Sequence, residues 1–272
     1  MVTVRSAIQV GFRLVNKNKQ LLIIPLAWEV IRALLLFSGF SLGSSWPLEP
    51  RFFIRFAIPA SWPTFDTILP SPVLSPDFAF LLTGRLQGLE WVFLGGIVLF
   101  AILDSLARSW FLVTLQNAFV GEGVQYKIAF YQAAKFINQF IILRLIVLVG
   151  FLLITALAIK FPFMPPGFWD MLCALGTITI TFVDLVIIFG NSPMPSALFK
   201  GIGILGKVGV PLVSFLIWGS VINAALSIPL NWAVGFFPAF VVGIGIFMYA
   251  GVVLSAGLMY LFTTSLLTIQ EC

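Results

Sequence analysis

Six ionisable residues stand inside long apolar runs of this 272-residue chain: Glu29, Arg32, Asp104, Arg108, Arg144 and Asp184. A charge at the middle of a bilayer costs ~3 kcal/mol or more, so such side chains face protein or water and find partners there. Glu29 and Arg32 are three residues apart and Asp104 and Arg108 four apart, spacings that put opposite charges on one helical face. The acids and bases are equal in number, so the set can close into one neutral intramembrane polar cluster. Three chemistries fit it: ion pairing that fixes helix register, a polar path or pocket open to the cytoplasm, and carboxylate catalysis within the membrane. Ion pairing alone predicts that removing one partner is worse than removing a pair, because the survivor is left buried and unpaired.

The elements that carry these residues follow from hydropathy. Hydrophobic residues make up 60% of the chain and charged residues 9%, and the mean hydropathy is +1.10. That excludes a soluble globular domain, since the apolar residues arrive in blocks of about twenty, the length that spans ~30 Å of hydrocarbon. The runs predict spans near 20–42, 89–116, 140–160, 172–190, 210–233 and 239–267. They lack the alternation of a membrane β-barrel and therefore call for helices, which satisfy their own backbone groups. The fold class expected is all-α, a polytopic bundle of six transmembrane helices forming one membrane domain over 1–272. The start of the chain has no short apolar core followed by a small-residue cleavage site, so the first apolar segment reads as a retained helix.

Charge sets the orientation. Arg5, Arg13, Lys17, Lys19, Lys127, Lys135, Lys200 and Lys207 fall on one side of the spans. Arg51, Arg55, Arg85 and Lys160 fall on the other, among Glu49, Asp66 and Asp77. The positive-inside rule then puts both termini in the cytoplasm. The net charge of +5 is spread over these short loops, which suits anionic lipid headgroups rather than nucleic acid. Cys173 lies in an apolar run and Cys272 is the last residue, so the cysteines offer no disulfide framework.

The segments before spans one, three and five resemble one another. A shift of 122 residues matches Arg5 with Lys127, Ala7 with Ala129, Gly11 with Ala133, Arg13 with Lys135 and Asn16 with Asn138. A shift of 190 matches Ala7 with Ala197, Gly11 with Gly201 and Lys17 with Lys207. The chain thus reads as three units, each an amphipathic cytoplasmic helix followed by two spans. In the first, at 1–19, Arg5, Gln9, Arg13 and Asn16 share one face and Val4, Ile8, Phe12 and Val15 another, as in a helix lying in the membrane interface. That helix is an anchor among anionic lipids or a docking surface for a cytosolic partner. The stretch 44–88 interrupts the pattern with prolines and aromatics, Trp46, Pro47, Phe52, Phe53, Trp62, Pro63 and Pro70 among them. So many prolines exclude a long helix, and the aromatics suit the headgroup layer, so this extracytoplasmic loop is expected to fold over the outer face.

Catalytic and nucleotide motifs fail on context. Gly39, Ser41 and Gly43 match a serine-hydrolase elbow, but the chain has no histidine to act as base. Gly201, Gly203 and Gly206 copy a dinucleotide fingerprint without the preceding strand or the later acidic residue. No phosphate loop, zinc-ligand spacing or HExxH occurs, so no catalytic, cofactor or metal residue is assigned.

The stretch from Phe182 to Gly201 ends a span through Asp184 and Gly190, turns at Asn191 to Pro193, and opens an amphipathic helix with Ala197 and Leu198. With the segment Gly11 to Lys19 before Pro25, this plan resembles the six-helix prokaryotic membrane proteins related to the membrane domain of bacterial glycerophosphoryl diester phosphodiesterases. The resemblance implies a six-helix membrane fold outside the long loop. It carries over no catalytic residue, because in those enzymes the chemistry belongs to a separate soluble barrel domain. The function expected is that of a non-enzymatic, multi-pass protein of a prokaryotic cytoplasmic membrane, a permease-like component or an accessory subunit with a membrane or cytosolic partner. The alternatives are a structural or assembly protein and an intramembrane lipid-acting enzyme.

Overall fold

A computed structural model describes residues 3–35, 63, 90–161, 163–233 and 237–270. Within them the regular structure is helical, without strands. In chain order the helices are α1 (Val4–Lys17), α2 (Ile23–Leu35), α3 (Glu90–Val120), α4 (Tyr126–Ala134), α5 (Ile137–Lys160), α6 (Pro166–Gly190), α7 (Met194–Ala233) and α8 (Phe237–Gln270), with a short 3₁₀ turn at Lys19–Leu22. Among the described residues three stretches are long and apolar enough to cross a membrane: Val98–Val120, Val210–Leu230 and Val241–Thr264. Two bent pairs, Tyr126–Ala134 with Ile137–Val147 and Leu175–Gly190 with Met194–Ile204, raise the number to five if each counts as one span. The expected first span continues past Leu35, beyond the described residues.

Helix α1 begins at a reciprocal cap. The Thr3 hydroxyl accepts from the Ser6 backbone N–H at 3.2 Å, and the Ser6 hydroxyl accepts from the Thr3 N–H at 3.1 Å. It ends where the Asn18 backbone N–H and side-chain amide both donate to the Leu14 carbonyl. The buried face is Ala7, Gly11 and Val15. Phe12, expected on the apolar face, is half exposed. Small residues prevail because they bring backbones together: a Cβ on Gly11 would strike the Val253 carbonyl oxygen, and the Gly257 Cβ position is 3.0 Å from the Ala7 carbonyl. Further along, Tyr249 donates to Asn16 at 2.9 Å and meets the Phe12 ring edge-on. Position 7 thus meets 257, position 11 meets 253 and position 16 meets 249, so α1 runs antiparallel along α8.

The same device recurs twice. Ala197 and Gly201, near the start of α7, are buried, and the Gly201 Cβ position stands 3.3 Å from the Val183 backbone nitrogen of α6. Ala129 and Ala133 are the buried residues of α4, which is tied to α3 by Trp110 donating to the Tyr126 carbonyl at 3.0 Å and Asn117 donating to Gln132 at 2.9 Å.

One expectation fails in detail. The amphipathic segment before span five and the span itself form a single helix, α7, of 40 residues with Pro211 and Pro229 inside it. Its length is ~60 Å at 1.5 Å per residue. Proline is compatible with helices in lipid because neighbouring helices and local adjustments satisfy the freed carbonyls. Of the expected outer loop 44–88, only Pro63 lies among the described residues. It is buried, its Cβ 2.5 Å from the Cβ position of Gly251 on α8.

Two glycine substitutions separate close packing from helix propensity. Gly11→Ala forces the new methyl into backbone of α8 that cannot yield and should cost about 1–3 kcal/mol. Gly203→Ala meets nothing within 4 Å and should be neutral or stabilise by up to about 1 kcal/mol. Thermal unfolding in a neutral detergent distinguishes them; equal melting points would contradict the packing described.

Candidate functional site

Three helices bring four of the sequence-selected residues together. Helix α3 supplies Asp104 and Arg108 from successive turns of one face, α5 supplies Arg144, and α6 supplies Asp184. Helices α5 and α6 are joined through the short connection after Lys160. Arg144 and Asp184 are roughly equal numbers of residues from that tip, which sets them level. Each lies about two turns, or ~10 Å, from the opposite end of its helix.

The four side chains form a closed ring of alternating charge. The Arg108 Nη1 donates to Asp184 Oδ2 at 3.3 Å, and the Arg144 Nη2 donates to Asp184 Oδ2 at 3.2 Å and to Oδ1 at 3.4 Å. On the other side, Asp104 Oδ2 is 3.8 Å from the Arg108 Nε and 3.7 Å from the Arg144 Nε. Every charge has two neighbours of opposite sign, and like charges sit across the ring from each other. The formal sum is zero. Such an arrangement is how two guanidinium groups can stand beside one another within a bundle, since each carboxylate attenuates their repulsion.

The two carboxylates are not equivalent. Asp184 is fully buried and accepts hydrogen bonds from both arginines. Asp104 keeps 15% of its side-chain exposure and the arginines 12% each, while Asp184 has 0%. The distances to Asp104 are those of Coulombic contacts, beyond hydrogen-bond length. Asp184 is the tight corner of the ring and Asp104 the loose one.

Glu29 is buried on α2, a helix packed against α3. Arg32 is on the same helix, and its side chain lies outside the described residues. Around the ring, α3 keeps its other polar side chains occupied with its own backbone: Ser105 donates to the Ala101 carbonyl at 2.6 Å, Ser109 to Leu106 at 3.0 Å and Thr114 to Trp110 at 2.8 Å. These hydroxyls carry no signal in the sequence that separates them from other small residues of an apolar run. The same holds for the amide pair Asn117 and Gln132, which joins α3 to α4.

The chain matches no family model, no curated protein and no solved structure. The chemistry therefore has to be read from the ring itself. Among the described residues no group of three or more His, Cys, Asp or Glu side chains is placed to hold a metal ion. The ring offers two guanidinium groups as anion donors and one carboxylate, Asp104, that is weakly held.

The inequality of the two corners predicts unequal penalties. Asp184→Asn leaves two guanidinium groups facing each other without their shared buried acceptor and should cost about 3 kcal/mol or more. Asp104→Asn, at the half-open corner, should cost less than about half of that. Equilibrium unfolding of both variants checks the order, and equal losses would show that the ring has no tight corner.

Proposed function

We propose that this protein is a permease-like component of a prokaryotic cytoplasmic membrane, with the ring of Asp104, Arg108, Arg144 and Asp184 as the polar element of a path through the bundle. The observation that carries the reading is the exposure gradient, from 0% at Asp184 to 15% at Asp104. A lock that only fixes register gains nothing from an open corner, whereas a path requires one. Polar groups near the middle of the bilayer, between repeated elements, are where transporters place their sites.

The reading includes six spans, the number that the sequence resemblance also implies, arranged in three units, with both termini in the cytoplasm. The repeat is supported by the positions aligned in the sequence. Ala7, Ala129 and Ala197 are each fully buried, and Gly11, Ala133 and Gly201 are buried four residues later. In each unit the short helix packs on a preceding long one in cyclic order: α1 on α8, α4 on α3, and the start of α7 on α6. The orientation rests on the basic residues that cluster beside α1, α4 and the start of α7.

A second reading, a structural or assembly protein, is favoured by the zero formal charge of the ring. It makes the ring a dry clasp between α3, α5 and α6. Accessibility separates the two. In a background with Cys173 and Cys272 replaced by alanine, the Asp104→Cys thiol should react with a charged, membrane-impermeant thiol reagent from the cytoplasmic face only. Val252→Cys, fully buried on α8, supplies the unreactive control. Reaction no faster than the control would remove the path and leave the clasp.

A further inference from the structure

We propose that Asp104 is a displaceable internal anion, and that a singly charged oxyanion of the ligand, a carboxylate or a phosphate ester, takes its place between Arg108 and Arg144. The inference rests on the permease reading of the same ring and names the class of ligand it takes.

The argument starts from how the arginines are fixed. Asp184, buried and hydrogen-bonded to the Nη atoms of both, holds the two guanidinium groups in position without help from Asp104. Their Nε atoms converge on a single oxygen, Asp104 Oδ2, at 3.8 and 3.7 Å. The Arg144 Nε is buried and makes no hydrogen bond there. An N–H donor pair preorganised around a carboxylate that it does not quite reach is a receptor filled by a poorly fitting tethered ligand. Guanidinium edges take carboxylate and phosphate oxygens at shorter, charge-assisted distances, often in pairs. A group that is not bound to the backbone of α3 can move into that geometry, and Asp104, four residues from Arg108 on the same helix, cannot do so for both arginines at once.

Charge balance gives the valence. Within the four-residue ring, turning Asp104 away sets Asp184 against two arginines, so the ring itself carries one positive charge. A monoanion restores neutrality; a dianion overshoots it. Access is on the side where the exposure remains, since Asp104 and both arginines keep 12–15% of their side-chain surface and Asp184 keeps none. Competition follows directly: the tethered carboxylate and the ligand cannot occupy the Nε pair together, so Asp104 lowers affinity and speeds release.

The test uses the full chain in an uncharged detergent at a mildly acidic pH that keeps inorganic phosphate mainly singly charged, with acetate and inorganic phosphate as soluble probes and phosphatidylglycerol as the lipid probe. Binding is read from the concentration dependence of thermal stabilisation at constant ionic strength, and the lipid also from native mass spectrometry. Asp104→Asn removes the competing charge and should tighten binding of an effective probe by at least about tenfold over the unmodified chain, because a unit charge a few ångströms away is worth more than one decade of affinity. Arg144→Gln should abolish it. Saturation by acetate or phosphate identifies a free solute, and saturation by phosphatidylglycerol identifies a lipid headgroup; either supports the proposal. An unchanged midpoint in Asp104→Asn, stabilisation that survives Arg144→Gln, or no response to any probe overturns it. A reactive Asp104→Cys thiol together with no anion response would discard the oxyanion while leaving the path. An unreactive thiol together with the tenfold tightening would leave a binding site and remove the path.

Discussion

Neutralising charge where water is scarce is the constraint on which the rest of this bundle depends. A single guanidinium in hydrocarbon is expensive, and two side by side are more so. The chain meets this by placing an acid on either side of the arginine pair, and the acids come from different helices. Helices α3, α5 and α6 must therefore sit in one register. A slide of α3 by one turn, about 5.4 Å, would carry Arg108 away from Asp184 and Asp104 away from Arg144. The ring is thus both the candidate site and the gauge by which these helices are aligned, and the second role explains why its corners differ: one must be tight for alignment, and the other is released from that duty.

Backbone proximity is the other means by which the helices are held. Water-soluble bundles gain by removing apolar side chains from water, and a bundle in lipid cannot, because the tails are as apolar as leucine. What remains is van der Waals contact, which improves when residues without bulk let two helices approach. Gly11 and Gly257 let α1 reach α8, and Gly201 lets α7 reach α6. Phe12 and Tyr249 lie at the edge of the α1–α8 contact, and the buried Phe215 ring packs against Gly257 within it.

Much of the helical architecture was legible in the sequence, because length and hydropathy are local properties. The long helices fall on the apolar runs, and of the small positions aligned by the internal offsets of 122 and 190 residues, Ala7, Ala129, Ala197, Gly11, Ala133 and Gly201 are buried while Ser6 and Ser196 are partly exposed. Of the apolar face read for α1, Val15 is fully buried, Val4 and Ile8 are partly buried and Phe12 is half exposed, whereas the buried Gly11 was not readable because periodicity gives no weight to a glycine. The continuity of α7 was missed for a related reason: the change from amphipathic to apolar at Lys207 and Pro211 marks a change of surroundings, and the backbone carries on through it. For the site, residue types were readable and partners were not. Asp104 and Arg108 could be paired by spacing, but nothing local links either to Arg144 or Asp184, whose meeting is a property of packing. The inequality between Asp104 and Asp184, both aspartates in apolar runs, is wholly a matter of tertiary position.

The partnership of α1 with α8 has a consequence for the order of assembly. In chain order the first of the described helices, α1, takes as its main partner the last of them, α8, and Pro63, from the segment between α2 and α3, rests on that same helix at Gly251. Because synthesis runs from α1 towards α8, α1 is made well before the surface it docks on, and the intervening helices can pair with one another before that surface arrives. The arrival of α8 is what gives α1 its partner, and α8 is therefore the keystone of the described helices.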